Sequence, residues 1–118
     1  VSEIVKDTTF DASIFTPGDM IAVKAVSKGK GFQGVVKRHG FGGGFRSHGQ
    51  KHSEREPGAI GATGNKVLKG TRMAGRMGSD TITVKNLRVL QVNPAENILL
   101  VSGAVPGRKG TLVEVRSI

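Results

Sequence analysis

Residues 28–77 read KGKGFQGVVKRHGFGGGFRSHGQKHSEREPGAIGATGNKVLKGTRMAGRM. Eleven basic side chains lie here: Lys28, Lys30, Lys37, Arg38, Arg46, Lys51, Arg55, Lys66, Lys69, Arg72 and Arg76. Only two acidic ones, Glu54 and Glu56, accompany them. The surplus of nine equals the formal charge of the whole chain, so the remainder sums to zero. Fourteen of the 18 glycines fall in Gly29–Gly78. An interior glycine costs a helix about 1 kcal/mol relative to alanine, so this density excludes a long helix. The stretch predicts an extended excursion with one or two short turns. A structureless connection of roughly fifty residues is far outside the usual ~4–6, and such loops are functional or disordered.

On either side the patterning is that of strands. Upstream, Ile21, Val23 and Val26 place large apolar residues at every second or third position, with Phe10, Ile14 and Phe15 before them. Thr16-Pro17-Gly18-Asp19 is a turn signal. Downstream, Thr81–Lys85 alternates and Leu87–Val92 nearly does, and Asn93–Asn97 reads as a loop. Ile98-Leu99-Leu100-Val101 is a continuous apolar run, which predicts a strand buried on both faces. Val105-Pro106-Gly107 turns the chain, and Leu112–Val115 is a last strand. The β-branched content favours strand over helix. The class is mainly β, one domain, with residues 1–27 and 81–118 as a β body and 28–80 as an inserted extension.

Composition narrows the function. Hydrophobic content is 36%, and the chain has no Cys, Trp or Tyr. The core is therefore small, and a disulfide scaffold or thiolate zinc site is excluded. The lack of cysteine fits a reducing compartment. No apolar run approaches the ~18 residues of a membrane span, and nothing resembles a cleavable signal. The sequence opens with Val1 rather than Met, which is consistent with an upstream part.

Two motifs are weak. Gly29-Lys30-Gly31-Phe32-Gln33-Gly34 fits the dinucleotide fingerprint. That fingerprint needs a helix opening at the last glycine, to meet the pyrophosphate. Here Val35–His39 runs straight into Gly40, Gly42, Gly43 and Gly44, leaving no room for a helix of useful length. His48 and His52 are four apart, a metal-binding spacing on a helix. The residues between them make a poor helix, so histidines facing solvent or phosphate are the plainer reading. Nothing points to a catalytic residue, a metal or another cofactor, a small-molecule substrate or a membrane.

The basic segment fits RNA better than a solvated tail. It is internal and bracketed by strands. Glycines lie among its cations, and a bare backbone can approach phosphate oxygens closely. Phe32, Phe41 and Phe45 lie among the charges with His39, His48 and His52. Flat rings stack on unpaired bases at about 1–3 kcal/mol per base. Phe32 reads equally well as a barrel core residue. A free-standing RNA binder or chaperone remains an alternative, and a nucleotide-binding enzyme a remote one.

Several ordered blocks go further. Ser27–Gly34 with Val36–His39, His48-Gly49 with Arg55–Gly61, Val67–Gly70 with Met73–Gly78, then Asn97–Val101 and Gly103–Gly107 resemble the large-subunit ribosomal protein L-three family in its bacterial and organellar form. The resemblance runs from about Phe15 to the C-terminus. It implies a translation-protein-type β-barrel whose long extension penetrates ribosomal RNA. It implies, too, a tip that nears the peptidyl-transferase centre, an early role in subunit assembly, and neighbouring large-subunit proteins. On this sequence the tip falls at Ile60, Gly61, Ala62, Thr63, Gly64 and Asn65. The location implied is a cytoplasmic or organellar ribosome.

The expected RNA contacts are the eleven cations with His48 and His52. Gly29, Gly31, Gly58, Gly61, Gly75 and Gly78 are expected to allow close backbone approach. Two departures from the family stand out. Ala62 occupies the place where many bacterial members carry a glutamine, methylated in some, so that modification does not carry over. The family's opening strands are also missing from this sequence, which predicts unpaired strand edges and an incomplete barrel.

Overall fold

In the body, alternation along the strands makes one sheet face apolar. The computed structural model describes residues 10–61, 64 and 66–118. After a short 3-10 turn at Ala12–Ile14 come β1 (Met20–Val26), β2 (Gly31–Gln33), α1 (Val35–His39), β3 (Gly75–Met77), β4 (Thr81–Asn93), β5 (Ile98–Val101) and β6 (Val113–Ser117). These elements fall into two compact units. The described residues up to Lys28 join Asp80–Ile118 in one, and those of Gly29–Ser79 form the other.

The body is a four-stranded antiparallel sheet in the order β5-β4-β1-β6. It is open, with β5 and β6 at its ends, as expected for an incomplete barrel. Register places Ile21 opposite Leu87, and Val23 opposite both Val84 and Val115. Ile21, Val23, Leu87 and Val89 make the buried cluster, with Phe15, Val92, Leu99, Val101 and Val113 packed around it. The Thr16–Asp19 turn feeds this sheet. Gly18 donates to the Val89 carbonyl, and Val89 donates back to Asp19.

The Thr81–Lys85 and Leu87–Val92 runs, both strand-like in pattern, form one strand, β4, broken in pattern but not in backbone. Between the pairs Val23–Val84 and Ile21–Leu87 the β4 strand carries one residue more than β1. Asn86, at φ 60°, absorbs it as a bulge. The run Ile98–Val101 is an edge strand rather than a strand buried on both faces. Ile98 and Leu100 stay about half exposed, and only Leu99 and Val101 pack on the core. Finally, the glycine-rich segment is not merely extended with turns. β2 and β3 pair across it, and α1 opens directly after Gly34.

That helix follows the dinucleotide-like glycines, but it is as short as the following glycines require, and its surroundings differ from a nucleotide fold. It has five residues, and Gly40 ends it in the left-handed conformation, with its N–H turned back to the Val35 and Val36 carbonyls. The strand before it pairs antiparallel with β3 in a two-stranded ribbon. A dinucleotide site needs a parallel βαβ unit.

Candidate nucleic-acid interface

α1 shows how the second unit is assembled. Val35, Arg38 and His39 are three and four residues apart and share one helix face, with Lys37 turned elsewhere. Val35 is buried and Lys37 exposed. The Arg38 guanidinium donates from Nη1 to the Met73 carbonyl at 2.7 Å. His39 Nε2 lies 3.0 Å from the same oxygen, so this nitrogen carries the proton. Gly75 makes room for the arrangement, since a Cβ there would stand 2.6 Å from Arg38 Nη1. Arg38 is therefore drawn into holding the unit together. Its partner, a backbone carbonyl far along the chain, leaves no trace in sequence pattern.

The ribbon places Phe32 directly opposite Arg76, and both are exposed. At 77% exposure Phe32 is not a core residue, which corrects that reading and leaves its ring available for stacking. Phe45 is similarly exposed, whereas Phe41 rests partly buried against the His39 ring at 5.9 Å.

Beyond α1 the chain folds back on itself. The Gly44 N–H donates to the Glu54 carbonyl at 2.9 Å, and Arg46 Nε donates to Glu54 Oε1 at 2.8 Å. Gly42–Gly44, Gln50, Ser53, Glu56, Pro57 and Gly58 line a shallow cleft. His48, Lys51, His52 and Arg55 lie exposed on this loop. The loop is not helical, so the four-residue histidine spacing does not put the two rings on a shared helix face. Near the expected tip, Ile60, Gly61, Gly64, Lys66 and Leu68 border a second cleft. Ala62, Thr63 and Asn65 lie outside the described residues. Thr71 donates both its N–H and its hydroxyl to the Leu68 carbonyl, a turn that carries Lys69 outward.

The glycines expected to face RNA divide. Gly29 closes on Ser79, Gly61 on the Lys66 carbonyl and Gly75 on Arg38, while a side chain at Gly31 or Gly58 would meet open space. Gly78 is half buried.

The electrostatics are one-sided. Lys28, Lys30, Lys37, Arg46, Lys51, Arg55, Lys66, Lys69, Arg72 and Arg76 are exposed, and Arg38 is half buried. Among the described residues the single ion pair formed by these cations is Arg46–Glu54. Also among the described residues, no group of three or more His, Cys, Asp or Glu side chains is placed to hold a metal. The arrangement suits binding to a polyanion.

Residues 1–98 match a family described as Ribosomal protein L3. The chain belongs to that family. It is 54% identical over 105 residues to the large ribosomal subunit protein uL3 of Chlorobium phaeovibrioides, covering 87% of this chain and 50% of the relative. The protein of the same name from Chlorobium phaeobacteroides is 50% identical over 117 residues, 98% of this chain and 56% of the relative. That of Acidothermus cellulolyticus is 57% identical over 106 residues, 88% of this chain and 48% of the relative. The chain thus spans about half the length of these uL3 relatives. Similarity to the Ribosomal protein L3 family extends upstream of Phe15, where the sequence resemblance began, and reaches residue 1.

Proposed function

We propose that this chain is a structural constituent of the large ribosomal subunit that binds the large rRNA. The family is structural rather than enzymatic. Its named relatives are bacterial ribosomal proteins, which fits a ribosome in the cytoplasm. One observation carries the RNA reading. Apart from Arg38, the Gly29–Ser79 unit presents its cations outward, and among the described residues a single carboxylate, Glu54, neutralises one of them.

In this reading the exposed lysines and arginines neutralise phosphates, and His48 and His52 face the backbone. Phe32, opposite Arg76, stacks on an unpaired base. Residues 28–80 are the rRNA-penetrating extension. The tip, Ile60 to Asn65, approaches the peptidyl-transferase centre, where the RNA does the chemistry and the protein positions it. The body rests among neighbouring large-subunit proteins and supports assembly.

Salt dependence tests the electrostatics. With six to ten phosphates engaged, raising salt from 50 to 200 mM lowers affinity by roughly 10³–10⁵, on the duplex-DNA scale. A slope near zero overturns this account. Replacing Arg72 and Arg76 with Ala should reduce the slope by about two while the body stays folded. Unchanged affinity removes these two from the contacts. The tip has its own test. The chain lacks cysteine, so Ile60→Cys carries one tethered iron chelate, and hydroxyl-radical cleavage in assembled subunits reports the neighbouring rRNA. Cleavage remote from the peptidyl-transferase centre refutes that placement.

A further inference from the structure

The body carries a basic concavity that the neutral charge balance outside the extension conceals. β1 lies between β4 and β6, so its residues on the face away from the core form rows with both neighbours. Ala22 is opposite Arg116, and Lys24 is opposite Glu114 and Thr83. The β4 bulge brings Lys85 and Asn86 alongside Ala22, between the pairs made by Ile21 and Val23. Ala22 contributes only a methyl group and is buried. The surface dips there into a cleft walled by Lys85 and Asn86 from β4 and by Arg116 and Ser117 from β6.

The side-chain charges in this cleft are not balanced. Glu114 is the side-chain carboxylate lining it, and it pairs with Lys24 at 3.3 Å. Lys85 and Arg116 are left without an ion-pair partner among the described residues. The Asn86 amide adds a neutral donor. Asn86 stands in the left-handed conformation at φ 60°, which asparagine tolerates better than most residues. Bulges re-aim side chains beside binding sites, and this one turns β4 residues into the cleft wall.

We propose that the cleft is an RNA phosphate clamp, with Lys85 and Arg116 gripping one backbone phosphate from two strands above the Ala22 floor. Two cations set around a small floor, with an amide donor beside them, suit a tetrahedral anion with several acceptor oxygens. The clamp rests on the RNA-binding reading above and adds a contact made by the body rather than by the extension.

The test uses the full chain and a bacterial large-subunit rRNA transcript carrying 4-thiouridine. Four proteins are compared: wild type, Lys85→Ala with Arg116→Ala, Lys85→Arg with Arg116→Lys, and Lys24→Ala with Glu114→Ala. The clamp predicts crosslinks within residues 83–86 or 114–117. The Lys85/Arg116 alanine pair should lose them, with a salt slope shallower by about one to two and affinity weaker by up to about tenfold. The charge-conserving pair should restore most of the affinity, and the Lys24/Glu114 pair should leave the slope unchanged. Unchanged slope and affinity in the Lys85/Arg116 alanine pair, with crosslinks persisting in residues 29–79, overturn the clamp and leave the extension reading intact. Loss of affinity that the charge-conserving pair fails to restore also overturns it. No salt dependence and no crosslinks in wild type overturn both readings.

Discussion

In the body, Ile21, Val23, Leu87 and Val89 meet in one buried cluster on a sheet. In the Gly29–Ser79 unit, Val35 is the buried large apolar side chain among the described residues, and the contacts near it are hydrogen bonds to backbone carbonyls. Full burial of such a side chain contributes about 1.5–3 kcal/mol. Ordering the backbone costs roughly 1–2 kcal/mol per residue. Four clustered side chains, with seven more packed around them, can anchor a small sheet. One valine cannot offset the ordering of some fifty residues. The body's shape is thus set by its own burial. Burial of its own apolar side chains does not set the shape of the basic unit.

The sharpest way to break this contrast is to truncate one buried apolar side chain in each unit. Ile21→Ala should destabilise the body by about 2–5 kcal/mol, a large share of the 5–15 kcal/mol typical of a domain. Urea unfolding followed by circular dichroism should show a much lower midpoint. Val35→Ala removes two carbons, about 1.6 kcal/mol at 0.8 per methylene. Its effect should be confined to amide exchange in the basic unit, with the sheet's midpoint unmoved. Equal shifts in the sheet from both substitutions would show that the units share one folding transition, and the contrast would fail.

A smaller effect is expected at the junction of Arg38 and Gly75. Arg38→Ala removes a charge-assisted hydrogen bond worth about 1.5–3 kcal/mol. Gly75→Ala forces a methyl group against the same guanidinium. Each should raise exchange rates around α1 and Met73. Together they should cost less than the sum, because once the guanidinium is gone the added methyl meets nothing. Strict additivity would mean that Gly75 is there for another reason. If Arg38→Ala instead weakens RNA binding without loosening α1, its role is in the interface and not in the fold.

These same positions mark where the sequence was readable. β1, β4 and β6 show in their β-branched alternation, because each has one face on a core. β5 looks buried in sequence because its apolar run is continuous, yet its place at the end of an open sheet leaves Ile98 and Leu100 in solvent. β2, β3 and α1 are hidden, since three-residue strands paired from far apart along the chain carry no periodicity of their own. The basic segment is legible because charge is a property of composition. Which cation folds the protein is not, for what draws Arg38 into the fold is the Met73 carbonyl, far from it along the chain. The Lys85 and Arg116 cleft is equally silent, being made by strand neighbours that are distant in sequence.

The smallest expected effect separates the body from the basic unit by pH. The Thr16 N–H donates to Asp19 Oδ2 at 2.8 Å, and the Thr16 hydroxyl donates to Oδ1 at 2.7 Å. The backbone bond first, and the hydroxyl second, hold the Asp19 carboxyl below its ordinary value. A pKa lowered by folding means that the unfolded chain takes up the proton first. The contribution to stability is therefore complete above the unfolded value of ~3.9 and is lost as pH falls through the lower folded value. Solvent reaches this turn, so the loss should be slight. It should appear as a fall in the sheet's unfolding midpoint below about pH 4 that Asp19→Asn largely flattens, since asparagine holds the turn without titrating. Amide exchange in residues 29–79, corrected for its intrinsic pH dependence, should not follow that change. A matching loss of protection there would tie the basic unit to the body's turn, and the two units would have to be treated as a single cooperative structure.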